Sequence, residues 1–174
     1  MKSNYKICAI VAADPNGGIG INGKLPWNIK EDLQWFKTNT LDKYCVSSKS
    51  LYNKDLKGLT GRHWIALSSD PEGMSIPEYN YNHHTPITIA EDLKSDIMIV
   101  GGPKVYQWAM PYLTDVLFTG IKQEYNCDAF IDLDKLFKNK YCYTSLDTSK
   151  THKFTMWRKY EAGRDRYKQF NTNL

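Results

Sequence analysis

The chain predicts an α/β fold: a single domain built on a mixed, mostly parallel sheet of about eight strands, flanked by helices, with antiparallel C-terminal strands at one edge. Three observations predict it. Apolar runs alternate with helical or turn-rich stretches across the first two thirds of the chain. The runs at residues 5–13 (YKICAIVAA) and 96–100 (DIMIV) are almost unbroken, as central strands buried on both faces are. Beyond Asp115 three strand-like runs follow one another with no convincing helical period between them.

The elements follow in order. The run at 5–13 is stopped by Asp14-Pro15-Asn16-Gly17-Gly18, a string of turn residues. A glycine-rich loop then leads through Leu25-Pro26-Trp27-Asn28 into a helix ending near Thr40, with Asn28 as expected N-cap and Glu31 completing a capping-box-like pair. Residues 43–47 form a second strand, 51–59 a short, poor helix closed by Gly58, and 63–69 a third strand. The stretch 70–85 is long, polar and turn-rich, with room for a short strand near 79–81. A helix over 86–95 precedes the strand at 96–100. Gly101-Gly102 follows at once, and Pro103 opens another helix, where its missing N–H does no harm. Strands are expected at 116–121, 141–146 and 154–161. The domain is read as residues 1–163, with a polar tail at 164–174.

Composition narrows the function. With 174 residues, 41% hydrophobic and 24% charged, the chain is one globular domain with a real core. A net charge of +4, scattered rather than striped, suits anionic small molecules and argues against nucleic acid. Cys8, Cys45, Cys127 and Cys142 are far apart without C-x-x-C spacing, and read as reduced, buried thiols of a cytoplasmic protein. The histidines show no metal-ligand spacing, so no metal is expected. No signal peptide or membrane-spanning run is read, and nothing demands a partner subunit, so a monomer is expected.

The helix after the glycine loop carries the first chemical signal. Ile29, Leu33 and Phe36 recur at helical spacing, and Asp32 projects from the same face. A carboxylate there is either a first-turn acid suited to the helix dipole or the one acid lining an apolar ligand pocket. Spacing leaves both open. Gly101-Gly102 between strand and helix is either a phosphate-binding turn or an ordinary tight connection. Ser68-Ser69, ending a strand, is either a phosphate contact with Lys49 nearby or a polar turn. No GxGxxG or GxxxxGK[ST] element occurs.

Together, Ile19-Gly20, Leu25-Pro26-Trp27-Asn28, Asp32-Leu33 and Phe36 resemble the N-terminal signature of dihydrofolate reductases. The similarity continues through Leu59-Thr60-Gly61-Arg62, Leu67-Ser68-Ser69, Ile99-Val100-Gly101-Gly102, Val105-Tyr106 and Phe118-Thr119, over residues 5 to 130. The resemblance implies NADPH as cofactor and 7,8-dihydrofolate as substrate, with hydride going to C6 and a proton to N5, in support of one-carbon and thymidylate metabolism. It implies that Asp32 binds the amidine-like edge of the pterin. Thr119 would support Asp32 by a hydrogen bond and Trp27 through an ordered water, while Leu25 sits on a mobile lid. Ile10, Leu33, Phe36 and Val100 would surround the substrate, and Arg62 would clamp its α-carboxylate. Ala12, Ile19 and Gly20 would meet the nicotinamide. Gly101, Gly102, Lys104, Val105 and Tyr106 would hold pyrophosphate and ribose, and Leu67, Ser68 and Ser69 the adenosine 2′-phosphate.

One departure stands out. Where the family usually has a Met-Gly-Arg-x-Thr-like segment against the cofactor phosphates, this chain reads Ser47-Ser48-Lys49-Ser50-Leu51. The expectation is weaker NADPH binding, with Lys49 and Ser50 partly compensating. The alternative is a family member that binds folate or serves a structural role with little turnover. A same-fold reductase acting on another pterin- or pyrimidine-like substrate is opposed by Asp32, Trp27 and Arg62 together.

Overall fold

The sheet grows outward from β1 (Ile7–Ala13), whose alternate residues enter two different cores. Ile7, Ala9, Val11 and Ala13 pack on one face; Cys8 and Ile10 pack on the other. This is why the sequence run is apolar at every position. The computed structural model describes residues 2–71, 73–146 and 149–161. The boundary expected at residue 163 and the polar tail at 164–174 lie outside the described residues.

In chain order the remaining elements are β2 (Gly18–Gly20), α1 (Lys30–Thr40), β3 (Tyr44–Ser48), α2 (Lys49–Leu51) running into a π-helical turn (Tyr52–Leu56), and β4 (His63–Ser68). Then come β5 (Glu78–Asn80), α3 (Pro86–Leu93), β6 (Ile97–Gly101) and α4 (Pro103–Ala109) with a 3₁₀ turn (Met110–Tyr112). The chain continues through β7 (Asp115–Ile121), β8 (Ala129–Phe130), α5 (Leu133–Phe137), β9 (Lys140–Leu146) and β10 (His152–Lys159). Eight strands form one sheet in the order β5-β4-β3-β6-β1-β7-β10-β9. All neighbours from β5 to β7 are parallel, and β10 and β9 close one edge antiparallel, as the sequence predicts. No helix among the described residues is long and apolar enough to cross a membrane.

Chain order reverses beside β1. After β1 the chain builds outward through β3, β4 and β5, returns to insert β6 beside β1, and crosses to β7 on the far side. Ligands of open α/β sheets sit outside the carboxyl ends of the strands at such a reversal. Tyr106 fixes the geometry there: its buried hydroxyl lies 2.7 Å from both the Ile10 and Val100 carbonyl oxygens. Its single proton is shared between carbonyls of two neighbouring strands, the middle of β1 and the carboxyl end of β6. Burial pushes this phenol well above its ordinary pKa and keeps the proton in place.

Four expectations need correction. Asn28 is not the N-cap. Trp27 is buried, and the backbone stays extended through Ile29, so the helix begins at Lys30 without a side-chain cap. Glu31 turns instead to His152, 3.4 Å away. Between β7 and β9 lies a helix, α5, only five residues long and capped by Asp132, which accepts from the Lys135 N–H at 3.0 Å. The two-stranded sheet of β2 and β8 leaves no periodic signal in the sequence because neither strand is long enough to show one. Finally, Cys142 is exposed, because it lies on the edge strand β9, and Cys127 is only partly buried. Cys8 and Cys45 are buried as expected, and all four thiols are free.

The loop between β1 and α1 is tied down twice. Asp14, almost fully buried, accepts from the Asn16 and Gly18 N–H groups through Oδ1 and from the Tyr125 N–H through Oδ2. Further out, the Asn22 N–H donates to Asp128 Oδ2 at 2.9 Å, and β2 pairs with β8.

Candidate active site

At the reversal, on the α1 face of the sheet, lies a cavity of about 560 Å³. Its floor is the carboxyl half of β1 (Ile10, Val11, Ala12), with Val100 of β6, Gly102 just after it and Thr119 from β7. One wall is α1, through Asp32, Leu33, Trp35 and Phe36. The loop supplies Ile19, Gly20, Gly23, Lys24 and Leu25, and the α2 segment supplies Leu51, Asp55 and Leu56.

The apolar stripe of α1 therefore faces this cavity rather than a sealed core. Leu33 is 55% exposed, and the only fully buried residue of α1 is Thr40, at its last position. Between these apolar side chains, Asp32 is half-buried and accepts the Thr119 hydroxyl at 2.7 Å. Burial raises its pKa above the ordinary carboxylate value. The Thr119 bond and the nearby His152 act in the opposite direction. Asp32 thus lines a cavity whose other walls are largely apolar. Asp55, the other acid lining the cavity, is exposed at the rim.

Twelve of the expected residues converge here: Ile10, Ala12, Ile19, Gly20, Leu25, Asp32, Leu33, Phe36, Val100, Gly102, Tyr106 and Thr119. Trp27 does not line the cavity. It packs edge-on against Tyr125 with ring centroids 5.6 Å apart, and its buried Nε1 has no hydrogen-bond partner among the described residues. Arg62 lies behind Phe36, its guanidinium 5.7 Å from the ring centroid. Its Nε donates to Thr40 Oγ1 at 3.0 Å and its Nη1 to the Thr60 carbonyl at 2.8 Å, which fixes the planar group beside the cavity's outer end.

The remaining expected residues, Lys104 excepted, lie along the carboxyl edge of the sheet. Because β3, β4 and β6 are parallel, the junctions that follow them are aligned on that edge: Lys49 and Ser50, Leu67 to Ser69, and Gly101 with Val105. Lys104 is not brought to the Asp32 cavity; it lines a different one, with residues of α4, α5 and the edge strands. Gly101 has φ +127, and a β-carbon there would press on the Tyr106 ring at 3.2 Å. The peptide from Gly101 to Gly102 is cis, and a β-carbon on Gly102 would meet nothing within 4 Å. The altered segment is also accounted for. Ser48 caps α2 by accepting from the Leu51 N–H at 3.2 Å, and the Lys49 ammonium lies 3.5 Å from Glu78.

Sequence reasoning missed Trp35 and Leu51. Trp35 follows Asp32 by three residues, so the spacing that singled out Asp32 could have found it. Leu51, expected against the cofactor phosphates as part of the altered segment, is a wall of the cavity beside α1.

A half-buried carboxylate among apolar walls, at the reversal of a parallel sheet and beside a glycine-lined strand end, defines a small-molecule enzyme site of the α/β class. The family model for dihydrofolate reductase matches residues 6–161, and the chain belongs to that family. It is 28% identical over 156 residues to the dihydrofolate reductase of Enterococcus faecium, covering 85% of this chain and 93% of that one. It is 30% identical over 120 residues to that of Ureaplasma parvum, covering 68% and 77%. In three dimensions it is similar to a dihydrofolate reductase from Enterococcus faecalis complexed with NADP(H) and RAB-propyl, with a TM-score of 0.76 at 21% identity, covering 92% of this chain and all of that one.

Proposed function

We propose that this enzyme reduces 7,8-dihydrofolate to 5,6,7,8-tetrahydrofolate with NADPH. The observation that carries the reading is Asp32, a carboxylate held by Thr119 inside an otherwise apolar cavity of a size suited to a pterin. Such a group needs a ligand that donates hydrogen bonds to it, and the amidine-like edge of a pterin does so. Ile10 and Phe36 provide apolar faces for the ring, and Arg62 suits a carboxylate at the substrate's outer end.

The residues present fit the cofactor. Ala12, Ile19 and Gly20 reach the same cavity as Gly102 and Tyr106, and Ser68 and Ser69 lie at the end of β4 on the sheet edge that leads away from it. When bound, NADPH supplies the hydride for C6 of the substrate. The chain's own part is to orient the pterin through Asp32, to keep Asp32 in place through Thr119, and to exclude water with the loop that carries Leu25. N5 takes a proton, and a carboxyl raised by burial holds one over a wider pH range than an exposed acid. The reaction therefore slows as pH rises past the folded-state pKa of Asp32.

The same reading makes the enzyme a cytoplasmic monomer acting on small molecules alone, supported by its four free thiols. Light scattering on the purified chain tests the monomer. The activity is tested by loss of NADPH absorbance on adding dihydrofolate, beside an Asp32→Asn control. Turnover that disappears in the control supports the reading. Equal turnover in both, or binding of dihydrofolate without turnover in the parent chain, would overturn it.

A further inference from the structure

A second cavity, of about 680 Å³, lies away from Asp32, between α4, α5 and the edge strands. Five lysines line it: Lys104 from α4, Lys135 and Lys138 from α5 and its end, Lys140 from β9 and Lys159 from β10. The one acid in the lining is Asp132, which lies 4.0 Å from Lys135 and caps α5. Of the chain's 23 basic and 19 acidic residues, the rest are therefore balanced, eighteen of each, so this lining holds the whole net charge of +4.

The arrangement is held under electrostatic tension. Lys140 and Lys159 are directly opposed across the antiparallel β9–β10 pair, a position where like charges destabilise a sheet. Lys140 donates to the Leu136 carbonyl at 2.9 Å, so its ammonium is fixed near its neighbour rather than free to swing away. Burial, and then Lys159, lower its pKa, and the Asp115 carboxylate opposes them. The ammonium groups of Lys104, Lys138 and Lys159 have no hydrogen bond or ion pair among the described residues. Lysines on a flat surface spread apart; here they approach one hollow from four elements, with Met110, Pro111 and Phe130 as an apolar wall.

We propose that this cavity binds a small organic polyanion, a di- or triphosphate or a polycarboxylate with an apolar body. The charge is met by point-like ammonium groups, which suit multivalent oxyanions, and the apolar wall accommodates the body of the molecule. The two cavities share Pro103, so the second site adjoins the catalytic one without including Asp32. A concave site of this size favours a small ligand over a nucleic-acid strand.

The test uses inorganic tripolyphosphate as probe on the full chain, by calorimetry and by lysine-selective NMR. The variants are Lys138→Gln with Lys159→Gln, whose ammonium groups hold no bond among the described residues, and Lys49→Gln as a control at a cationic position after β3. Expected are binding that weakens from about 0.03 to 0.3 M salt, an upward shift of the Lys140 pKa on binding, and affinity reduced about tenfold or more in the double variant but unchanged in the control. Phenyl phosphate should bind more tightly than inorganic phosphate if the apolar wall takes part; equal affinities would remove the wall from the proposal. The proposal is overturned if tripolyphosphate does not bind, if binding is lost only in Lys49→Gln, or if a short DNA single strand binds more tightly than tripolyphosphate.

Discussion

Replacing Thr119 by Val isolates the bond on which the site depends. Valine keeps the β-branched shape that suits β7 and removes only the hydroxyl. Thr119 is 1% exposed, and its 2.7 Å bond to Asp32 Oδ1 has a charged acceptor. A hydrogen bond of that kind contributes about 1.5–3 kcal/mol, against about 0.5–1.5 kcal/mol for one between neutral groups. The sign of the pH dependence follows from linkage. The folded-state pKa of Asp32 lies above its ordinary value of 3.8, so its contribution to stability is complete below 3.8 and is lost as pH rises through the folded value. Thr119 opposes that rise, and its removal pushes the folded value higher still. The variant should therefore be less stable by about 1.5–3 kcal/mol where Asp32 is ionised, and by only about 0.5–1.5 kcal/mol where it is protonated. Urea unfolding of both proteins, from pH 8 down to the acid limit of the fold, measures the difference directly. A loss of stability that is the same at every pH would show that the hydroxyl acts through packing and not through the carboxylate.

Three further outcomes are expected. His152 is a cation, when protonated, that lowers the Asp32 pKa, so His152→Gln should move the pH–rate profile of reduction upward; an unmoved profile would separate the two groups. Tyr106→Phe leaves the Ile10 and Val100 carbonyls without their shared donor and should cost about 1–3 kcal/mol in urea unfolding; a loss below that range would mean that neither carbonyl depends on it. Burial raises Cys8 and Cys45 to about 12, so a disulfide reagent at pH 8 should modify the exposed Cys142 and leave those two untouched until the chain unfolds.

What could be read from the sequence follows the length of the signal. β1 and β6 were legible because strands buried on both faces leave continuous apolar runs, and the late change of pattern gave the antiparallel edge. α5 and the β2–β8 pair span too few residues for any period, and their places are set by contacts distant in sequence, such as the Ile131 N–H donating to the Gly17 carbonyl at 2.8 Å. Asp32 could be singled out by spacing, but its partner could not, since Thr119 lies 87 residues further on. The capping box failed because burial of Trp27 delayed the helix, a tertiary effect that no local pattern contains. Leu51 was judged against a cofactor, whereas its position at the end of α2 sends it to the cavity that Asp32 lines.

The orientation of α1 bears on how the protein moves. A helix of eleven residues with one fully buried side chain is held on the sheet by partly buried contacts: Trp35 stacked on Phe154, Phe36 against the core and Asp32 on Thr119. A ligand filling the space beside Leu33, Trp35 and Phe36 would add to that attachment. Amide hydrogen exchange should therefore be faster in α1 when that space holds only solvent, and should slow with ligand concentration in proportion to occupancy, by up to the full binding free energy. Exchange in β1 and β6, which are buried on both faces, should report global unfolding in either condition. The substrate then acts as a missing piece of core, and the stability of this enzyme in a cell would track its supply.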